Sequence, residues 1–323
     1  MEAIAVEGLV KRYGHVEAVN GVSFTVHLGE VFGFLGPNGA GKTTTINILC
    51  TLLLPTAGQA RVNGFNVVKQ RSQVRQSIGL VFQDPSLDEY LTAWENLKFH
   101  AMAYAVPQAK ERIEQVLHMV GLWERRHSLV RTFSGGMKRR LEICRGLLHF
   151  PKVLFLDEPT LGLDPQTRES IWAYILEMRH TEATTIFLTT HYMDEAEHCD
   201  RIAIIDQGRI IALDTPEALK TQVGGDIITL ETGDNEASVR ELQQRYGIQA
   251  QARKGLIYLE VARGSQFIPE LVRNFDQDIR AVSLRRPTLD DVFIKLTGRA
   301  IREEEAGGKE QMRQHARMWR SRH

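Results

Sequence analysis

The run Gly36-Pro37-Asn38-Gly39-Ala40-Gly41-Lys42-Thr43 has the spacing of a loop that wraps a polyphosphate: glycine, four residues, glycine, lysine, threonine. Glycines let backbone N–H groups turn toward phosphate oxygens with no Cβ in the way. Lys42 adds a mobile positive charge for the terminal phosphates, and the Thr43 hydroxyl is a ligand for Mg2+. The expected cradle is therefore Gly36, Pro37, Asn38, Gly39, Ala40, Gly41, Lys42, Thr43 and Thr44. Much later, Asp157 and Glu158 directly follow an apolar run. Two carboxylates would then emerge together at the carboxyl edge of a strand, where ligands of α/β sheets collect. Asp157 is expected to hold Mg2+, directly or through water, and Glu158 to act on an attacking water as general base or orienter. Alone, such a pair is a common helix cap. Beside the glycine-rich loop it reads as the second half of the same phosphate site.

These groups need a rigid frame. Residues 31–35 form an apolar run that predicts a buried strand, and the glycine-rich turn follows at once. Ile46, Leu49, Leu52 and Leu53 then recur at helical spacing. Residues 153–156 and 185–188 predict two more buried strands. Residues 201–205 and 209–213 look like strands joined at Asp206-Gln207-Gly208, a hairpin signal. Apolar runs alternating with helical patterns predict an α/β core with a mainly parallel sheet. Near Gly224-Gly225 the pattern changes. The expected division is a core over 1–223 and a small α+β region over 224–299, containing strand-like stretches 227–231 and 256–261. From Ile301 the chain turns polar, with Glu303-Glu304-Glu305 and then Arg313, Arg317, Arg320 and Arg322. This predicts a disordered tail over 300–323, or alternatively a basic patch for lipid head groups.

Composition narrows the partners. In 323 residues, 40 basic and 40 acidic side chains cancel, so no global field favours nucleic acid or an anionic membrane. Cys50, Cys144 and Cys199 lie far apart, with no disulfide framework or zinc spacing, and are expected to be packing residues in a reducing cytoplasm. Met1-Glu2-Ala3 lacks the basic-then-apolar pattern of a secretory signal. The apolar runs fall short of the ~20 residues that span a bilayer. Any transmembrane path would have to come from another chain.

Five further segments, in order, make residues 1–223 resemble the ATP-binding-cassette family. Tyr13, in Leu9-Val10-Lys11-Arg12-Tyr13-Gly14, stands where the family places a ring that stacks on adenine. Gln83, in Val81-Phe82-Gln83-Asp84, matches the glutamine that reaches Mg2+ and the attacking water. Phe133-Ser134-Gly135-Gly136-Met137 matches the signature stretch, with Met137 where glutamine is commonest. The resemblance implies that Ser134, Gly135 and Gly136 face the ATP held by an opposite subunit. Gly162-Leu163-Asp164 matches the segment that crosses the dimer seam, and His191 the switch histidine that contacts the γ-phosphate. Met137, Leu141, Cys144 and Leu148 give the signature helix a buried stripe. Lys138, Arg139 and Arg140 read as a solvated basic face.

Two further stretches narrow the subgroup. Residues 90–97 look like the region that receives a coupling helix from a membrane protein. Residues 286–298 resemble the closing motif of the daunorubicin-resistance-type exporter ATPases, and also read as a short packing helix with Pro287 at its start. Together the resemblance implies a P-loop cassette with a helical signature subdomain and a C-terminal accessory domain, using ATP and Mg2+. It also implies a homodimer, or a heterodimer with a related cassette, that shares two sites. That dimer would be peripheral on the cytoplasmic face of the cell membrane, bound to a separately encoded integral-membrane permease. A soluble cassette ATPase acting on ribosomes or DNA is the alternative. Such proteins usually carry a second cassette or long coiled-coil insertions, and this chain has neither. A non-hydrolysing module is disfavoured by intact Lys42, Asp157, Glu158 and His191.

Overall fold

The computed structural model describes residues 1–84, 86–253 and 255–298, so the expected tail over 300–323 lies outside the described residues. The described residues divide into two compact units, Met1–Leu213 and Asp214 onward.

The first unit opens with β1 (Glu2–Tyr13) and β2 (Val16–His27), which pair antiparallel. After β3 (Val31–Leu35) and α1 (Lys42–Leu49), the chain adds β4 (Ala57–Val62) and β5 (Phe65–Asn66) to that first pair. The resulting sheet has the order β2-β1-β4-β5. No strand is expected from the sequence before residue 31; for β2 the alternation of Val22, Phe24 and Val26 is a signal left unused, and for β1 the register gives the reason. Ile4, Val6 and Leu9 are buried, but pairing slips between Val6 and Leu9, where Gly8 takes φ +56°. The extra residue breaks the two-residue alternation that marks a half-buried strand.

The second sheet carries the site. α2 (Arg71–Ser77) leads into β6 (Ile78–Val81), and three helices follow: α3 (Ala93–Ala103), α4 (Ala109–Met119) and α5 (Gly135–Leu147). Then come β7 (Val153–Asp157), α6 (Pro165–Glu182), β8 (Thr185–Thr190), α7 (Met193–Ala196), β9 (Arg201–Asp206) and β10 (Arg209–Asp214). The sheet order is β10-β9-β3-β8-β7-β6, and β3, β6, β7, β8 and β9 run parallel. Every residue of β3, β7 and β8 is buried, so each reads as an unbroken apolar or threonine-rich run. Gln207 and Gly208 both take positive φ, 47° and 77°, as a two-residue type I′ turn between β9 and β10 requires.

The helical spacing of Leu52 and Leu53 overshoots. α1 stops at Leu49, and Thr51 adopts φ +64°. The amides of Leu52 and Leu53 both turn back to the Asn47 carbonyl.

Phe24 of β2 stacks on Phe32 of β3 and Phe187 of β8, at 5.4 and 5.8 Å between ring centroids, which ties the two sheets together. A separate core sits among α3, α4 and α5. It includes Leu97, Ile113, Val116, Leu141, Cys144 and Leu148, with Met137 packed against it at partial burial. The expected stripe of α5 is therefore present. All three cysteines are buried free thiols.

The second unit holds α8 (Pro216–Thr221), β11 (Asp226–Thr232), α9 (Asn235–Tyr246), β12 (Ala250–Arg253), β13 (Leu256–Val261), α10 (Gly264–Asn274), β14 (Ile279–Arg285) and α11 (Leu289–Thr297). Its antiparallel sheet has the order β12-β13-β11-β14, and Ile228, Leu230, Leu242, Ile257, Leu259 and Leu271 form its core. The Gly224-Gly225 pair lies inside this unit, between α8 and β11. The closing motif forms α11. Thr288 and Asp291 make a reciprocal capping box, and Arg285 grips Asp291 through both terminal guanidinium nitrogens, Nη1 and Nη2, at 2.5 and 2.7 Å.

Candidate active site

The glycine-rich loop joins β3 to α1, and two of its glycines are demanded by the scaffold behind it. A Cβ on Gly36 would lie 2.3 Å from the Ile205 carbonyl of β9, and one on Gly41 2.3 Å from the Ala18 carbonyl of β2. Gly41 also takes φ +106°, a conformation other residues avoid. The loop is thus pressed against two strands. The first N–H groups of α1 have no acceptor within the helix, and its dipole adds positive potential at the same place. Such a helix start suits a phosphate. The Lys42 ammonium, buried at 4% exposure, donates to the carbonyls of Gly36 and Pro37 at 2.8 and 3.1 Å.

Asp157 ends β7, opposite Thr189 of β8 in register. The Thr189 hydroxyl donates to Asp157 Oδ1 at 2.5 Å and accepts from the Glu158 amide at 3.1 Å. The Thr43 hydroxyl approaches the same Asp157 oxygen at 3.5 Å. Burial raises the Asp157 pKa and outweighs the hydrogen bonds from Thr189 and Thr43. A hydroxyl and a carboxylate converging here are hard oxygen donors of the kind Mg2+ takes, so the residues fit that ion. Gln83 joins Tyr13, Thr43, Asn47, Phe82 and Asp157 in lining one open cleft. Tyr13, at 49% exposure, presents its ring there from the end of β1.

Glu158 has φ +47°, left-handed backbone in a residue with a Cβ. Such conformations persist only where the surroundings over-determine them. Its Oε1 lies 3.4 Å from the Lys42 ammonium, and its Oε2 lies 3.4 Å from His191 Nδ1. Burial pushes the carboxyl pKa up, but His191 and the Lys42 charge together bring it below the ordinary value. Glu158 is therefore ionised at neutral pH, between two groups able to stabilise negative charge.

The signature residues form a second cluster. Ser134 caps α5 and accepts from the Met137 amide at 3.3 Å. A Cβ on Gly136 would meet the Thr167 side chain of α6 at 2.5 Å, so this glycine allows α5 and α6 to approach. Asp164 caps α6, accepting from the Thr167 amide at 3.0 Å and the Thr167 hydroxyl at 2.6 Å.

The basic run after the signature is not a solvated face, because Arg139 is buried at 7% exposure and spends its guanidinium on backbone carbonyls. Arg140 reaches the Val120 carbonyl at 2.9 Å, while Lys138 pairs with Glu89.

Sequence reading also assigned no role to Thr189, Thr190 or Glu195. The Thr190 hydroxyl accepts from the Tyr192 amide at 2.9 Å and donates to Glu195 Oε2 at 2.6 Å, which fixes the turn bearing His191. Glu195 is 3% exposed, and burial lifts its pKa to about 7 against the relief of the Thr190 bond. An acid so raised contributes its full share of stability below its unfolded pKa, near 4.5, and loses it as pH climbs through about 7. Glu195→Gln keeps an acceptor for Thr190 but cannot ionise. Relative to the parent, it should gain on the order of 2 kcal/mol between pH 5 and pH 8, from a shift of this size at 1.36 kcal/mol per unit. Denaturant midpoints at the two pH values measure this; a parallel pH dependence in both proteins would refute it.

A glycine-rich loop opening α1, paired acidic residues at the end of β7 and a histidine after β8 beside Glu158 define an ATP-binding cassette of the P-loop class. The ABC transporter family pattern matches residues 19–161, and that of the C-terminal domain of DrrA1-3-like ATP-binding proteins matches residues 215–297. The daunorubicin resistance ATP-binding protein DrrA3 of Streptomyces coeruleorubidus is 40% identical, over 94% of this chain and 98% of that one. The Nod factor export ATP-binding protein I of Ralstonia nicotianae (strain ATCC BAA-1114 / GMI1000) is 38% identical, over 93% and 95% respectively. Among solved structures, the dimeric post-hydrolysis state of the cassette MJ0796 bound to ADP and Pi superposes with a TM-score of 0.60. It is 26% identical and covers 66% of this chain and 98% of that one. The chain belongs to the ATP-binding subunits of the ABC transporter family and is an ATPase. Among the described residues no helix is long and apolar enough to cross a membrane.

Proposed function

We propose that this chain powers export through a separately encoded membrane permease, and that it works as a head-to-tail dimer of cassettes, with itself or with a related chain. The observation that carries the chemistry is the placement of Glu158, 3.4 Å from both Lys42 and His191 and next to Asp157. ATP lies with its phosphates on residues 36–44 and its adenine against Tyr13. Thr43, Asp157 and Gln83 would hold Mg2+, which supplies Lewis-acid stabilisation of phosphate oxygens when bound. Ser134, Gly135 and Gly136 of one cassette close over the γ-phosphate in the other, with Asp164 at the seam, and closure excludes water. Glu158 then orients the attacking water and takes up its proton, while Lys42 and His191 stabilise charge on the transferred group.

The cassette structure resembling this chain is dimeric, and one close relative is named for export and another for drug resistance. Both names favour outward transport from the cytoplasmic face. The balanced charge offers no electrostatic footprint for nucleic acid, so no such partner is expected. The test is a pull-down of tagged Glu158→Gln protein from detergent-solubilised source membranes with Mg2+ and ATP. A multi-spanning membrane protein should be recovered in near-equal amount. Recovery instead with ribosomal or DNA-associated proteins would overturn the transporter reading and leave only the ATPase chemistry.

A further inference from the structure

Arg139 makes five contacts from one buried side chain. Its Nε donates to the Pro159 carbonyl at 2.6 Å, and its Nη2 donates to the carbonyls of Asp157 and Glu158, each at 3.0 Å. Its Nη1 donates to the Phe82 carbonyl at 2.5 Å and to Glu142 Oε2 at 3.2 Å. Three consecutive carbonyls of the segment bearing Glu158 thus face one planar fork, along with the carbonyl just before Gln83. Only arginine presents donors in that fixed geometry. On the opposite side, the Glu158 amide is held by the hydroxyl and carbonyl of Thr189 at 3.1 and 3.2 Å. Glu158 sits between these restraints at φ +47°, a conformation that needs such support.

The origin of the fork matters as much as its targets. Arg139 belongs to α5, the helix capped by Ser134. Any displacement of α5 is passed through a rigid guanidinium to the backbone of Glu158 and to the strand end before Gln83. We propose that Arg139 is a positioning residue for hydrolysis: it holds Glu158 in its left-handed backbone conformation and links that conformation to the placement of the signature helix. This rests on the reading of Glu158 as the group that acts on the attacking water. In a head-to-tail dimer, the linkage makes closure of Ser134 over one nucleotide a condition for aligning Glu158 at the other.

The experiment is a double-mutant cycle on the full chain, measuring ATP affinity, single-turnover hydrolysis and thermal midpoint. Arg139→Lys keeps the charge beside Glu142 but cannot span the carbonyls, and Arg139→Gln removes the charge as well. Arg139→Lys should slow hydrolysis about 10- to 100-fold, in the range of misplaced catalytic groups, with ATP affinity changed less than about 3-fold. In a Glu158→Gln background the same substitution should cost less than about 3-fold in rate, because the group it positions is already gone. Equal losses in both backgrounds would overturn the proposal, as would a parental rate in a folded Arg139→Lys protein. If Arg139→Gln fails to fold, Arg139→Lys still decides the matter. Near-parental turnover in Glu158→Gln alone would instead remove the underlying reading of Glu158, a separate outcome.

Discussion

Glu158→Gln will bind ATP about as well as the parent and hydrolyse it at least ~10²-fold more slowly, the scale of a lost acid–base group. Binding survives because the substitution leaves the cradle alone. Lys42 keeps its bonds to the Gly36 and Pro37 carbonyls, and α1 still begins at the same place. Losing the carboxylate also removes a competitor 3.4 Å from the Lys42 ammonium, which favours phosphate if anything. Turnover falls because the ionised carboxylate is what the site has arranged. Thr189 and Arg139 hold its backbone, and His191 and Lys42 hold its charge. An amide of the same shape can accept a hydrogen bond but cannot take up the proton of the attacking water. Titration with a fluorescent nucleotide, followed by phosphate release under single-turnover conditions, separates the two effects. Near-normal release would exclude Glu158 from the role; a collapse of affinity would place it in the cradle instead.

The part of this site visible in the sequence is the part whose chemistry is local. The glycine-rich loop, the Asp157-Glu158 pair and the segment ending in His191 each carry their geometry within a few residues, at the edge of strands that read as buried runs. Thr189 was invisible because its role is a cross-strand one, fixed by the register of β7 and β8. Arg139 was misread for a related reason. Its charge suggests solvent, yet its carbonyl acceptors lie 18 to 57 positions away, and only the assembled fold brings them to α5. Glu195 shows the same limit: nothing in its neighbours says that burial will lift its carboxyl to about 7. In the frame, β3, β7 and β8 were readable because they are buried on both faces. β1 was not, since the slip at Gly8 breaks its alternation, whereas β2 does alternate at Val22, Phe24 and Val26, a signal the sequence carries. Leu52 and Leu53 keep a helical spacing past the end of α1, but Thr51 at φ +64° has already ended the helix, and Leu53 meets the core from the turn that follows.

Lys42→Ala should weaken ATP binding by at least ~10-fold and slow hydrolysis by at least ~10²-fold. The first figure follows from losing a charge-assisted hydrogen bond to phosphate, worth roughly 1.5–3 kcal/mol. The second adds the lost stabilisation of charge on the transferred group, typically 10²- to 10³-fold for one preorganised donor. The substitution also acts on Glu158. Lys42 is one of the groups that hold the Glu158 carboxyl below its ordinary pKa, so removing the ammonium must raise it. A raised pKa means the carboxylate is protonated at higher pH, and the acid limb of the residual pH–rate profile should move upward. Arginine at this position would restore charge but not the compact head that fits 2.8 Å from the Gly36 carbonyl, so Lys42→Arg should recover only part of the activity. Isothermal titration with ATP and a pH series of single-turnover rates test both effects. Unaltered ATP affinity would contradict the cradle. An unmoved acid limb would mean that Lys42 and Glu158 do not share the electrostatic contact that their 3.4 Å separation implies.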